Sequence, residues 1–168
     1  MDKIKVTQDT LYEYMLAHDL KLTRLAELIE RAPEVVMSCF KHHKNWHGNP
    51  RSFNPEHLVL INQALPILAG ELRARVLRFG SPQVHTSKWG KTYDPALVES
   101  IKDLGVYINI TGMLARVLGW GSAKKCSVLS RPTGNMYGNI SKQDAERINI
   151  EILSISAVLD SYELVLND

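Results

Sequence analysis

The chain has 168 residues, 45% of them hydrophobic and 23% charged, with 20 Lys and Arg against 18 Asp and Glu and a formal net charge of +2. Such proportions suit a folded globular protein of one domain or two small ones and exclude a chain too polar to collapse. No apolar run approaches the ~18 residues a membrane span needs, the opening MDKIKVTQDT lacks the apolar stretch of an export signal, and Cys39 and Cys126 are too few for a disulfide framework, so a cytoplasmic protein without membrane association is expected. The net charge is too mild to announce a nucleic-acid binder by itself, which leaves the question to how the charge is distributed.

Helical periodicity dominates the reading in chain order. Between Thr7 and His18, Leu11, Tyr14 and Met15 recur at helical spacing behind Thr7 as N-cap. Thr23 is expected to cap a second helix whose Leu25, Ala26, Leu28 and Ile29 form an apolar stripe ending near Arg31, and Pro33 suits the first turn of a third. That third helix turns Val35, Val36, Cys39 and Phe40 inward and Glu34, Met37, Ser38, Lys41 and His42 outward. After the polar loop HGNPRS, Asn54 and Pro55 start a fourth helix with Leu58, Ile61 and Leu65 on one side, and the pattern resumes after Pro66 from Ile67 to Leu77. From Phe79 to Tyr93 the text is rich in Gly, Ser and Pro without helical period, which predicts a linker. Helices then return, ending in a long apolar one from Ser141 through Tyr162 that carries Ile148, Ile152, Ile155, Leu159 and Tyr162 as a stripe.

The second half repeats the first. LTRLAELI at 22–29 sits over TGMLARVL at 111–118, and FNPEHLVLINQAL at 53–65 over ISKQDAERINIEI at 140–152, with an Ile-Asn pair at 61–62 and again at 148–149. The expected organisation is a first domain at 1–78, a linker at 79–93 and a second domain at 94–168, each large enough to fold without staples.

Two short helices joined by a tight turn in each half suggest a helix-turn-helix. LARVLGWGSAKKCSVLS, from Leu114 to Ser130, resembles the helix-turn-helix of the lambda repressor and Cro type: Ala115 where close helix crossing wants a small side chain, apolar Leu118, Gly119 for the positive φ that ends the first helix, and apolar Trp120 at the turn. The first half matches at Leu25, Ala26, Ile29, Val36 and Cys39 but departs with Glu30 at the glycine position and Arg31 at the apolar turn position; the second departs with Lys125 where a buried residue is expected. The resemblance covers about 45 residues of each half. It implies an all-α fold of two repeated small helical bundles, and a DNA-binding protein, a small transcriptional regulator, that lays recognition helices in the major groove of double-stranded DNA without a cofactor and without enzymatic activity.

Carried over by position, the base-facing side chains would be Pro33, Glu34, Ser38 and Lys41 in the first half and Ser122, Ala123, Ser127 and Ser130 in the second. Thr23, Arg24, Met37 and His42 on one side, with Lys124 and Lys125 on the other, complete the expected DNA face. Phosphates take half or more of the hydrogen bonds in such interfaces, and the polar loops offer Lys44, Asn45, His47 and Arg51, then Arg131, Thr133, Asn135, Tyr137 and Lys142. Cys39 and His43, four apart, with His42 or His47 could supply zinc donors, but the apolar pattern needs Cys39 inside and Cys126 has no histidine near it, so no metal is expected. The alternative function is a helical protein–protein interaction module that has lost DNA binding, which the scarcity of good base readers favours; RNA is a third partner class, disfavoured because no aromatic stacking platform occurs. The breadth of the last helix's apolar stripe leaves room for contact with the other half or for a homodimer through it.

Overall fold

A computed structural model describes residues 2–40, 53–80, 85–86, 92–120 and 140–166. The fold is mostly helical. In chain order the described elements are β1 (Ile4–Val6), α1 (Gln8–Ala17), α2 (Leu22–Leu28), α3 (Pro33–Phe40), α4 (Pro55–Arg73), β2 (His85–Thr86), β3 (Thr92–Tyr93), α5 (Pro95–Leu104), α6 (Ile110–Leu118), α7 (Lys142–Ser161) and β4 (Tyr162–Leu164). Among the described residues no helix is long and apolar enough to cross a membrane.

The chain divides into two compact units, Met1–Glu71 with Ile155–Asp168, and Leu72–Ser154. This differs from the expected boundaries at 78 and 94. The divisions fall within α4 and within α7, so the tail of the second half belongs to the first unit and the tail of the first half to the second. Nor is 79–93 structureless where it is described: His85 pairs with Tyr93 and Thr86 with Thr92 in antiparallel register, and the Gly80 N–H meets the Asp94 carboxylate at 3.1 Å.

In the first unit Thr7 caps α1 by accepting the Thr10 N–H at 3.3 Å, and Leu11 and Met15 are fully buried. Thr23 does not cap α2. The Leu20 N–H returns to the Met15 carbonyl at 2.9 Å, and this tight turn starts α2 at Leu22, with Lys21 as an N-cap that supplies no side-chain bond and Thr23 already helical. Leu25, Ala26 and Ile29 point into the core; from α3, Val36, Cys39 and Phe40 join them, and the Phe40 ring meets Phe53 edge-on at 4.8 Å. α4 begins at Pro55, where Asn54 accepts the His57 N–H at 2.8 Å, and runs through Pro66 without the expected interruption. Pro66 forfeits one backbone bond, but Ile61, Leu65, Leu68 and Ala69 around it are all buried and hold the helix together.

β4 closes this unit. It lies parallel to β1, pairing Ile4 with Tyr162 and Val6 with Leu164, and the Val165 N–H reaches the Val6 carbonyl at 2.9 Å. On its other flank Asn62 of α4 reads the backbone of Leu164 in both directions, donating Nδ2–H to its carbonyl at 3.0 Å and accepting its N–H at 2.7 Å.

The second unit uses the same device. Asn149 of α7 donates to the Leu77 carbonyl at 3.2 Å and accepts the Leu77 N–H at 2.6 Å. Both the asparagines and their leucines lie 87 positions apart, 62 to 149 and 77 to 164. Asp94 caps α5 through the Ala96 and Leu97 N–H groups, and Leu97, Ile101, Leu104, Met113, Leu114 and Ile148 form the centre of the core. Arg116 of α6 pairs with Glu151 of α7, and Arg147 donates to the Val117 carbonyl at 2.6 Å, fixing the end of α6.

α6 ends as its sequence predicts, on Gly119 with φ +69°. Glu30 departs from that glycine in side chain only, since its φ is +56°. A left-handed conformation costs a residue with a Cβ about 1–2 kcal/mol, part of which a glycine returns through its freer unfolded chain. Glu30→Gly should therefore stabilise the first unit by about 1 kcal/mol, a rise of a few degrees in Tm by thermal unfolding; an unchanged Tm would mean the turn imposes no strain.

Candidate functional site

The surface on which the expected DNA-facing residues meet, as far as they are described, is formed by α2 and α3 of the first unit. Thr23 in the first turn of α2 and Met37 on α3 line one open groove of about 460 Å³, together with Leu16, Leu20, Lys21 and Leu22. The groove is mostly apolar because α1 ends with Leu16 54% exposed and the turn after it brings Leu20 and Leu22 alongside Met37. Glu34 stands exposed in the first turn of α3, where its charge favours the helix's positive end. Ser38 is half-buried and donates its hydroxyl proton to the Val35 carbonyl at 2.9 Å.

Arg24 is engaged elsewhere. Its Nε and Nη2 donate to the two oxygens of Glu71 at 3.0 and 2.6 Å, and Nη1 donates to Glu27 at 2.7 Å. All three guanidinium nitrogens thus bond carboxylates, and a residue expected on the DNA face joins α2 to α4 within the unit. Arg31, at the turn position where Trp120 stands in the other half, likewise bonds Glu56 at 2.7 Å. Lys142 is exposed at the first position of α7. Lys41, His42, Lys44, Asn45, Arg51, Ser122, Lys124, Lys125, Ser127, Arg131, Thr133 and Asn135 lie outside the described residues, as do the histidines weighed as zinc donors with Cys39. Among the described residues no group of three or more His, Cys, Asp or Glu is placed to hold a metal.

Charge is unevenly distributed along the sequence. Residues 41–52 and 121–139 together contain six of the 20 Lys and Arg and none of the 18 Asp and Glu, leaving 14 basic against 18 acidic residues in the rest of the chain. The first stretch follows α3 directly and the second follows the turn that ends α6, and each precedes a long helix, α4 or α7. The positive charge of the protein is thus concentrated in one stretch of each half, ahead of that half's long helix.

One residue that joins the end of α3 to Phe53 has no mark in the sequence. Gln8 is buried at 4% exposure; its Nε2 donates to the Cys39 carbonyl and its Oε1 accepts the Phe53 N–H at 3.3 Å. A single amide therefore ties together the two ends between which residues 41–52 run. Directly after a helix cap, a glutamine reads as solvated, and only the return of α3 and α4 to the start of α1 encloses it. Gln8→Leu should cost about 2 kcal/mol, since both bonds are lost inside the protein. Equilibrium urea unfolding measures this, and a midpoint equal to that of the wild type would show the amide to be idle.

No family model, curated protein or solved structure matches this chain.

Proposed function

We propose that this protein binds double-stranded DNA as a small transcriptional regulator, built from two versions of a helix-turn-helix bundle similar to the lambda repressor and Cro type. The observation that carries the reading is a coincidence of geometry and charge. α2 and α6 are each followed by a left-handed residue, Glu30 and Gly119, at aligned positions, and ahead of the long helix of each half, after α3 in the first and after the Gly119 turn in the second, comes a stretch with three Lys or Arg and no acid. Backbone phosphates supply most of the affinity in such interfaces, and a cationic, acid-free segment after a short helix pair is suited to them. Lys142, exposed at the start of α7, adds a cation at the far end of the second basic stretch. On this reading the 87-residue recurrence of the asparagine–leucine pair reflects two copies of one ancestral unit.

Two features favour the second reading, a protein–protein interaction module. Glu34 puts a negative charge on the side of α3 that would face DNA, and Ile150 and Leu153, 68% and 48% exposed and three residues apart on α7, give an apolar strip on which a second copy or another protein would pack.

Binding of the purified protein to random-sequence duplex DNA across a salt series separates the two. A DNA-binding protein of this kind should give log K falling linearly with log salt, by about 0.9 for each phosphate neutralised. Absence of binding at low salt would remove the DNA reading and leave the interaction module.

A further inference from the structure

We propose that each half of this chain, residues 1–80 and 92–168, is a docking surface for the tail of the other, so that the connection between them is dispensable once the protein has folded. This follows from which residues complete each unit and holds whether or not the protein binds DNA. The first unit is built from Met1–Glu71, but its closing strand, Tyr162–Leu164, comes from the other half. The second is built from the opposite half and receives Leu72 and Leu77, both buried in it, from the first.

The recognition chemistry at the two docking places is the same. A tail arrives after a long helix, as strand β4 in the first unit and without regular structure in the second; a leucine is buried, Leu164 at 2% exposure and Leu77 at 5%; and an asparagine side chain takes both its N–H and its C=O. Reading a backbone with one amide in both directions demands an extended partner in fixed register and is indifferent to most side chains. In the first unit β1 adds a parallel pairing on the tail's other flank, with the Val165 N–H on the Val6 carbonyl. Since each half donates a tail and accepts one, separating the halves breaks both clamps and exposes both leucines.

The test uses the full chain with a site for a specific protease placed between residues 87 and 91, folded first and cut afterwards. The two pieces should then co-elute as a 1:1 complex in size-exclusion chromatography with light scattering at about 10 μM, a concentration at which a pair of micromolar affinity stays largely associated. Asn62→Ala should raise the dissociation constant of the cut complex about 10-fold or more through the loss of two hydrogen bonds, and Asn62→Ser, whose single hydroxyl can meet at most one of the two backbone groups, should have an intermediate effect if the alanine variant does not fold. Pieces of the wild-type chain that separate on cutting would overturn the proposal. So would pieces that hold together equally well whichever residue stands at 62, because the clamp would then not be what joins them.

Discussion

Replacing Lys41, Lys44 and Arg51 together by alanine is expected to weaken duplex DNA binding about 100-fold or more at 0.1 M salt and to reduce the slope of log K against log salt by up to about 3. The magnitude follows from counterion release. Each cation that neutralises a phosphate contributes about 0.9 to the slope, hence close to one decade of affinity between 1 M and 0.1 M salt. Three such residues sit in a stretch of twelve that contains no acid, while the rest of the chain outside the two basic stretches is net acidic and would repel phosphate. The parallel variant, with Lys124, Lys125 and Arg131 replaced, makes the comparison between halves. Equal losses would mean that both halves contact DNA; loss from one triple alone would assign binding to that half. A salt slope that neither triple alters would refute the assignment of phosphate contacts to these stretches. Arg24→Gln is the informative control, because a guanidinium already held by Glu71 and Glu27 should change affinity by less than 2-fold while destabilising the first unit.

What could be read from the sequence was what local physics decides. Apolar spacing located α1 and α7 to within a residue at each end and the starts of α2 and α3 to within two residues, Thr7 and Asn54 announced helix starts that their side chains do cap, and Gly119 announced a left-handed turn. The left-handed conformation of Glu30 was hidden because the residue type argues against it, and only alignment with Gly119 hinted at the shared geometry. Pro66 argued for a break that the burial of Leu65 and Leu68 overrides. Thr23 looked like a cap because it precedes an apolar run, yet a turn that closes on Met15 decides where α2 begins.

The candidate site was legible to a smaller extent, because charge alone does not say what a side chain is bonded to. Arg24 reads as an exposed cation until Glu71, 47 residues away, is brought beside it. The recurring Ile-Asn pair was visible as text, but its use was not. That Asn62 meets Leu164 and Asn149 meets Leu77 depends on contacts across 102 and 72 residues, which carry no periodic signal.

Those asparagines give the second large effect. Asn62→Leu and Asn149→Leu are each expected to cost about 3 kcal/mol, and together about the sum. Each substitution removes the one side chain that meets both the N–H and the C=O of a leucine almost wholly enclosed by protein, where an unmatched backbone group costs about 1–3 kcal/mol. The added leucine cannot compensate, because its apolar atoms would face those same polar groups. Additivity follows from placement, since Asn62 and Leu164 lie in one compact unit and Asn149 and Leu77 in the other. Urea unfolding of the two single variants and the double variant checks this directly. If Asn62→Leu proved harmless while Asn149→Leu did not, the pairing of β4 with β1 would be sufficient to hold the first unit's tail, because β1 supplies the additional flank there. A double variant as stable as either single one would instead mean that releasing one tail already releases the other, which is the behaviour of two halves closed by a single cooperative exchange.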